Sequence, residues 1–375
     1  MGHFFRTLEI TRALEDHQVH LLLGGMPVGV EIPGHLEVSE LPEVRMDEEF
    51  SSLFAMDSRD MEDVWEERRA ILERAFSGQP YDVFLVELYP FGRKAFRVEL
   101  DPLLERLREE GATRVACSLR DILVEKRDRE KYETRVIETL RKYFDAVLVH
   151  ADPGLVRLPE TFSRARDIPV PLAYTGFVTP KPGPGSRERT RRWYGLGKKD
   201  RLVVASAGGG KVGFDLLENA VLAMPLLRKR VKRARMHVYT GPYMDQEKYE
   251  RLKGMEDRHV RVQRFNSDFL SELAAADLSV SMAGYNTTMN ILAAGVPALV
   301  LPFARNREQG MRASRLRERC AVDVLVQDDL AQDRMAARML ETMGREMPET
   351  CPVDIEGARN TARWLEVWMK TRRPR

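Results

Sequence analysis

The sequence predicts an α/β protein made of two doubly wound domains, each around a parallel sheet. Short apolar runs of strand length recur along the chain, and longer charged segments of helical period separate them. The alternation is interrupted once, near the middle, by a stretch rich in proline and glycine. A chain of 375 residues is long for one hydrophobic core and comfortable for two.

Taken in order, Gly2-His3 opens directly on a helical pattern over residues 4–16, and the first strand, 19–23, comes only after it. Residues 83–86, 115–118, 146–149, 202–205, 236–239, 278–280 and 298–301 read as further buried parallel strands, bounded by polar turns. Amphipathic helices are expected between them, among them 62–75 and 131–143. Residues 169–197, which include Lys181-Pro-Gly-Pro-Gly185, read as an interdomain connection. The expected division is 1–178, a linker at 179–200, a second domain at 201–352, and a terminal segment at 353–375. That last segment is an amphipathic helix with Trp364, Leu365 and Trp368 along one side, packed on its own domain or crossing back to the first.

Sixty basic residues face 58 acidic ones, so the chain lacks the electrostatic footprint of a nucleic-acid partner. The densest basic run, Arg228 to Arg235, is either a solvated helix end or a contact for an anionic membrane surface. Cys117, Cys320 and Cys351 are odd in number and widely spaced, which suits a reducing compartment and forms no metal motif. Without a signal peptide or an apolar run of spanning length, the expected location is the cytoplasm, with peripheral contact to the inner membrane face as the finer reading. No Asp-x-Asp follows a strand and no His or Cys cluster has ligand spacing, so no metal site is expected.

The most informative stretch runs from Ser281 to Arg317. A strand feeds a turn of small residues, Ala283-Gly284, and a helix follows that carries Asn286, Thr287, Thr288 and Asn290 in its first turns. The helix breaks at Gly295-Val296-Pro297, a second apolar strand ends at Pro302, and a polar loop reaches Glu308-Gln309, with Arg312 beyond. Backbone N–H groups at a helix start make an anion site, and polar side chains one or two turns on can reach a ribose beside it. Upstream, Ala205-Ser-Ala-Gly208-Gly209-Gly210-Lys-Val-Gly213 lies between a strand and a helix. Consecutive glycines there serve a tight turn or let backbone N–H groups approach a phosphate. Phe265 ends a short strand expected over 260–265 and reads as an ordinary core aromatic.

The ordered pattern Ser-x-x-Gly-x-x-Thr, Gly-x-Pro, strand, Pro, Glu-Gln resembles the donor-binding core of GT-B glycosyltransferases. The nearest likeness is to the bacterial N-acetylglucosaminyltransferases that act on the lipid intermediate of peptidoglycan, and to predicted glycosyltransferases related to them. That resemblance implies two Rossmann-like domains facing a cleft, the second holding a nucleoside-diphosphate sugar and the first an acceptor that the motif cannot name. It implies transfer of a hexosyl group to a hydroxyl with inversion. The sugar nucleotide is then a substrate, no cofactor is needed, and helix dipole and backbone donors take the metal's role on the leaving group. Gly208, Gly209, Gly210, Ala283, Gly284, Asn286 and Thr287 would line the diphosphate and Phe265 the base. Glu308 and Gln309 would hold the sugar, or else are solvated loop residues; Arg312 would support the phosphates or cap a surface. Asn290 departs from the family, whose peptidoglycan enzymes place there a Glu that takes the ribose hydroxyls; an amide bonds a hydroxyl without charge assistance.

In the family, Gly-His ends a glycine-rich turn after a first strand central to the sheet, so His3 is the candidate base or an acceptor contact, and His150 is the weaker alternative. Nothing precedes the turn here, so a missing central strand is expected, with a start downstream of the real one favoured. Glu87, Arg120 and Asp121 sit at strand ends and are candidate acceptor contacts, although an Arg-Asp neighbour pair also serves as a structural ion pair. The rivals are a sugar-nucleotide 2-epimerase or hydrolase on the same fold, for which no cluster of acidic side chains is found, and an inactive nucleotide-sugar binding module.

Overall fold

The computed structural model describes residues 2–24, 32–46, 53–56, 59–78, 80–123, 128–345 and 352–371; Cys351 lies outside them. The chain forms two compact units, Met1–Val178 with Glu356–Arg375, and Thr179–Ile355.

The first unit runs α1 (Gly2–Arg12), β1 (Val19–Leu23), β2 (Leu36–Glu40), β3 (Val44–Met46), β4 (Leu53–Ala55), α2 (Met61–Ala75), β5 (Val83–Glu87), α3 (Arg97–Glu110), β6 (Arg114–Arg120), α4 (Arg129–Tyr143), β7 (Ala146–His150) and β8 (Leu172–Tyr174). Strands β5, β6, β7 and β8 form a parallel sheet in chain order. β7 is buried along its whole length and β6 at all but its end residues, which is why both read as unbroken apolar runs. β1 pairs in parallel with β2, and β3 pairs antiparallel with β4. Among the described residues no strand pairs with the second edge of β1 or of β5. Leu22 of β1 and Phe84 of β5 nevertheless pack on one cluster with Leu72, Phe76, Leu103 and Leu107. Beside it the buried Arg68 makes a bidentate pair with Glu99, at 2.6 and 2.8 Å, which satisfies two charges that would otherwise be costly to bury.

The second unit runs α5 (Ser186–Trp193), β9 (Arg201–Ser206), α6 (Phe214–Arg230), β10 (Ala234–Tyr239), α7 (Gln246–Lys253), β11 (Val260–Gln263), α8 (Phe269–Ala275), β12 (Leu278–Met282), α9 (Tyr285–Ala294), β13 (Ala298–Leu301), α10 (Arg307–Arg317), β14 (Val322–Val324) and α11 (Gln332–Met343). Its parallel sheet has the order β11-β10-β9-β12-β13-β14. The chain therefore winds outward from β9 in one direction and from β12 in the other. The crevice at the carboxyl ends of those two neighbours is the topological switch point, where doubly wound sheets take their ligands. Val203, Val280, Leu217, Met224, Met335 and Met339 build the core around it.

Several expectations need correction. The first helix ends at Arg12, and residues 13–16 are turns. Residues 179–200 are not free linker: α5 packs on α8, with Arg187 and Arg191 each 2.9 Å from Asp277. The apolar run from Val260 stops as a strand at Gln263, leaving Phe265 in the following turn. Short strands such as β2 and β14 escaped notice because three to five residues, some polar, carry too little period to read. Arg228, Lys229 and Arg230 close the last turn of α6, where cations complement the helix dipole.

Helix α12 (Gly357–Lys370) belongs to the first unit. The Gly357 N–H donates to Phe177 O at 3.0 Å, Asn360 Nδ2 donates to Thr175 O at 2.9 Å, and the Arg114 guanidinium reaches Trp368 O while lying 5.2 Å from that indole's centre. Leu365 is buried, whereas Trp364 and Trp368 are half-buried and stack with each other at 4.9 Å. A Cβ on Gly357 would come 2.7 Å from the Phe177 carbonyl carbon, so this backbone approach requires glycine. Gly357→Ala should destabilise the protein by roughly 1–3 kcal/mol in urea unfolding, the cost of forcing a methyl into a filled space. Gly344→Ala, whose nearest contact is 3.5 Å, serves as control; equal stabilities would show that α12 docks without this contact.

Candidate active site

In the second unit the glycine loop leaves β9 and turns back on itself. Ser206 Oγ accepts the Gly208 N–H at 3.1 Å, and Gly208 and Gly210 take φ of 66° and 93°, a region that favours glycine. A Cβ at Gly210 would lie 2.5 Å from Thr240 O, and the Tyr243 N–H donates to Gly209 O at 3.0 Å, so the loop is pinned backbone to backbone on the turn after β10. On its other side it faces α9: the Cβ position of Gly208 is 3.4 Å from Thr287 Oγ1. The two motifs, read separately in sequence, thus meet at the switch point.

Helix α9 starts at Gly284 with no side-chain cap and nothing within 4 Å of that residue's Cβ position. No side chain caps this start, and the first turn of a helix is the place where backbone N–H groups can meet an anion. The Thr288 hydroxyl donates to Gly284 O at 2.8 Å and is structural; the Thr287 hydroxyl makes no hydrogen bond among the described residues. Asn286 is half-buried on the first turn. Ala283 is the residue that fails: its N–H donates to Leu301 O at 3.0 Å and its methyl is buried, so it belongs to the sheet ladder. Arg312 is buried, with its guanidinium 5.2 Å from the centre of the Tyr285 ring, and caps no surface.

Asn290 Oδ1 accepts from Thr179 Oγ1 at 3.0 Å, and its amide hydrogens make no hydrogen bond among the described residues. Phe265 is 54% exposed, so the core reading is wrong. The turn that presents it is held by Asn266, which donates to the buried Glu272 at 3.1 Å and accepts from the Asp268 N–H at 2.8 Å. Glu308 and Gln309 lie in the first turn of α10, not in a loop. Gln309 Oε1 accepts the Phe303 N–H at 3.0 Å and Glu308 Oε1 accepts from Asn306 at 3.2 Å, which fixes the connection from β13.

In the first unit His3, on α1, meets Glu87 at the end of β5, with Nδ1 2.8 Å from Oε1. Arg6, one turn after His3 and buried, reaches the same oxygen and lies 3.0 Å from His3 Nδ1. A carboxylate only accepts, so Nδ1 carries the hydrogen and Nε2 keeps a bare lone pair. Burial would raise the Glu87 carboxyl, but the Arg6 charge and the His3 hydrogen bond outweigh it and hold the group well below the usual range. Burial lowers the His3 imidazole from its ordinary value, against the pull of Glu87, so His3 is neutral near pH 7. Leu88 and Arg93, just beyond Glu87, hold φ of 68° and 52°, strained values for residues with a Cβ.

His150 is fully buried and cannot serve as the base. Asp121 is likewise buried, paired loosely with Arg120 at 3.8 Å, so it cannot touch an acceptor; Arg120, half-buried at the end of β6, can. Glu87 spends both oxygens on its own partners, His3 and Arg6 on one and Ser118 on the other, and is not an acceptor contact. Sequence reasoning missed Arg6, Ser118 and Thr179. Arg6 was legible in principle, since i and i+3 share a helix face. Among the described residues no group of three or more His, Cys, Asp or Glu is arranged to hold a metal ion.

Two units with parallel sheets, the second with two glycine-bearing loops meeting at its switch point, have the fold of GT-B glycosyltransferases. Residues 204–350 match the glycosyltransferase family 28 C-terminal domain. An uncharacterized glycosyltransferase of Methanopyrus kandleri is 23% identical over 214 residues, 56% of this chain and 59% of that protein. The UDP-N-acetylglucosamine--N-acetylmuramyl-(pentapeptide) pyrophosphoryl-undecaprenol N-acetylglucosamine transferase of Desulfitobacterium hafniense is 30% identical over 176 residues, 44% of this chain and 46% of that protein. The chain thus spans about half the length of the curated relatives it matches. Among solved structures, Acinetobacter baumannii MurG aligns with a TM-score of 0.52 at 15% identity, covering 98% of this chain and 96% of that one. A UDP-glucosyltransferase from Polygonum tinctorium aligns at 0.60 and 15%, covering 99% and 97%. At such identities the structural likeness establishes the fold.

Burial pushes the His150 imidazole down to about 3, with the Arg6 charge adding and Glu87 opposing. Between that value and its ordinary 6.5 the unfolded chain binds the proton that the folded one refuses, so stability rises with pH across the window and is lost as pH falls. Urea unfolding should show stability dropping from pH 7 to pH 5, with a shallower drop in His150→Gln. Identical slopes would mean that His150 is not buried in its neutral form.

Proposed function

We propose that the protein transfers a hexosyl group from a nucleoside-diphosphate sugar to a hydroxyl acceptor, with inversion at the anomeric carbon. The observation that carries this reading is the meeting of the Gly208–Gly210 loop with Thr287 and the uncapped start of α9, inside the family-matched domain.

In the proposal the diphosphate accepts hydrogen bonds from the N–H groups of Gly209, Gly210 and the first turn of α9, and from the Thr287 hydroxyl. Asn290 donates to a ribose hydroxyl, Phe265 lies on the base, and Glu308 with the Gln309 amide takes sugar hydroxyls. The acceptor, held by the first unit with Arg120 as a contact, gives its hydroxyl proton to His3 Nε2 as its oxygen attacks the anomeric carbon. The bond from that carbon to the diphosphate breaks, and the departing charge falls on donors already oriented toward it. Glu87 steadies the imidazolium formed. The products are the glycosylated acceptor and the nucleoside diphosphate, and no resident cofactor is assigned. As the finer reading of location, the exposed Lys229, Arg230, Lys232 and Arg233 would touch an anionic membrane face. No helix among the described residues is long and apolar enough to cross a membrane.

Release of nucleoside diphosphate, measured with and without hydroxyl acceptors, tests the reaction. Release only with acceptor is expected. Release without it would indicate a hydrolase, an altered sugar without acceptor an epimerase, and no change at all an inert binding module.

The binding site has its own test. A Cβ at Gly209 meets only the Tyr243 ring, at 3.8 Å, so Gly209→Val should fold yet block the diphosphate. Gly209→Val and Thr287→Ala should each weaken nucleoside-diphosphate binding by roughly 1.5–3 kcal/mol in calorimetric titration, the worth of hydrogen bonds to a charged group. Unchanged affinity in both would remove the site. Asn290→Glu should keep binding, since a carboxylate still accepts from Thr179 and from ribose; loss of binding in Asn290→Glu but not in Asn290→Ala would take Asn290 out of the ribose contact.

A further inference from the structure

Behind Glu87 lies a string of polar side chains that the reaction as described does not use. Ser118 Oγ is 2.8 Å from Glu87 Oε2, His150 Nε2 is 2.9 Å from Ser118 Oγ, and Thr175 Oγ1 is 2.8 Å from His150 Nδ1. Ser118 and Thr175 are 2% exposed and His150 not at all. Strands β6 and β7 are otherwise apolar around them, with Ala116, Val147, Leu148 and Val149 completely buried. Apolar residues at these positions would pack without any polar group to satisfy, so the string needs a reason beyond packing.

The direction of its hydrogen bonds is fixed at one end. An ionised carboxylate accepts only, so the Ser118 hydroxyl must donate to Glu87. Ser118 Oγ then accepts from His150 Nε2–H, which leaves His150 Nδ1 bare to accept from the Thr175 hydroxyl. Every hydrogen points toward Glu87. The far end is anchored by backbone: the Thr175 N–H donates to Val149 O at 3.0 Å, and Thr175 O accepts from Asn360 on α12. The near end is the oxygen of Glu87 that His3 and Arg6 do not use.

We propose that Ser118, His150 and Thr175 are positioning residues that hold the Glu87 carboxylate in the plane His3 requires, and so fix His3 as the Nδ1–H tautomer with Nε2 free to take a proton. A carboxylate held by one oxygen can rotate about its Cγ–Cδ bond; held by both, it presents a fixed lone pair to Nδ1. The charged groups that face His3 are Glu87, Arg6 and Arg93, and those that face Glu87 are Arg6, Arg93, His3 and His150. Among these, His150 is held neutral by burial down to about 3, which suits a group that transmits orientation rather than charge. The inference rests on His3 being the base, and its test reads the imidazoles directly.

The test is ¹⁵N and ¹H NMR of the full chain labelled at histidine, from pH 5 to 8. In the unsubstituted protein His3 should be protonated at Nδ1 and His150 at Nε2. In Ser118→Ala, His3 should become a mixture of tautomers, with its titration midpoint lowered by about half a unit or more, because a loosened Glu87 supports the imidazolium less. Ser118→Thr should restore both signals. Thr175→Val, nearly isosteric and distant from His3, should leave His150 a tautomer mixture, and it decides the matter if Ser118→Ala does not fold. An unchanged His3 tautomer and midpoint in a folded Ser118→Ala, or a His150 protonated at Nδ1 in the unsubstituted protein, would overturn the relay. If His3→Ala keeps full transfer activity while the NMR results hold, the relay stands as a structural device and the base assignment fails instead.

Discussion

A parallel sheet brings the carboxyl end of every strand to one edge, and that constraint sets where both units can do chemistry. The connections that leave this edge must satisfy the last carbonyls of the strands and the first N–H groups of the helices. In the second unit the loops after β9, β10, β11 and β12 carry Gly208, Tyr243, Phe265 and Gly284, and Gln309 stands in the first turn of the helix after β13. In the first, Glu87, Arg120 and His150 end β5, β6 and β7, and Thr175 follows β8. Nearly every residue that matters is therefore a strand end or one turn beyond it. The reversal of strand order between β9 and β12 does the rest, because it opens a crevice that two neighbouring loops must line together.

The two units meet this constraint with different chemistry. The second relies on backbone N–H groups, which cost no side-chain entropy, are fixed before a ligand arrives and cannot lose their polarity with pH. Its glycine at 208 is needed for a positive φ, and that at 210 also because main chain packs on main chain there. The proposed reaction gives the first unit a proton to handle, which backbone cannot take, and there the titratable imidazole of His3 has the Glu87 carboxylate behind it. Burial lowers the affinity of His3 for a proton and Glu87 raises it, and the balance leaves a neutral base near pH 7.

Much of this was legible in the sequence. Eight strands could be read from apolar runs because a buried parallel strand has no polar alternation to obscure it. Glycine spacing and the Ser-x-x-Gly-x-x-Thr order gave the donor loops, since those residues answer to backbone geometry that is local in sequence. What failed was side-chain direction at positions whose partners are remote. The motif puts Ala283 at the site, but its N–H bonds to β13, and a strand end puts Asp121 toward an acceptor, but it is fully buried. Glu308 and Gln309 read as the end of a polar loop but stand in the first turn of α10, whose N-cap is Asn306. The pairing of His3 with Glu87 spans 84 residues, and that of Ser118 with His150 spans 32; no periodicity records either one.

The central claim is that a diphosphate sits where the Gly208–Gly210 loop meets the start of α9. The most direct measurement is the crystal structure of the protein with a nucleoside diphosphate bound. The expected result is phosphate oxygens within hydrogen-bond distance of the Gly209 and Gly210 N–H groups and the Thr287 hydroxyl, with the ribose beside Asn290. A diphosphate held away from both loops, or bound by residues of the first unit, would contradict the assignment.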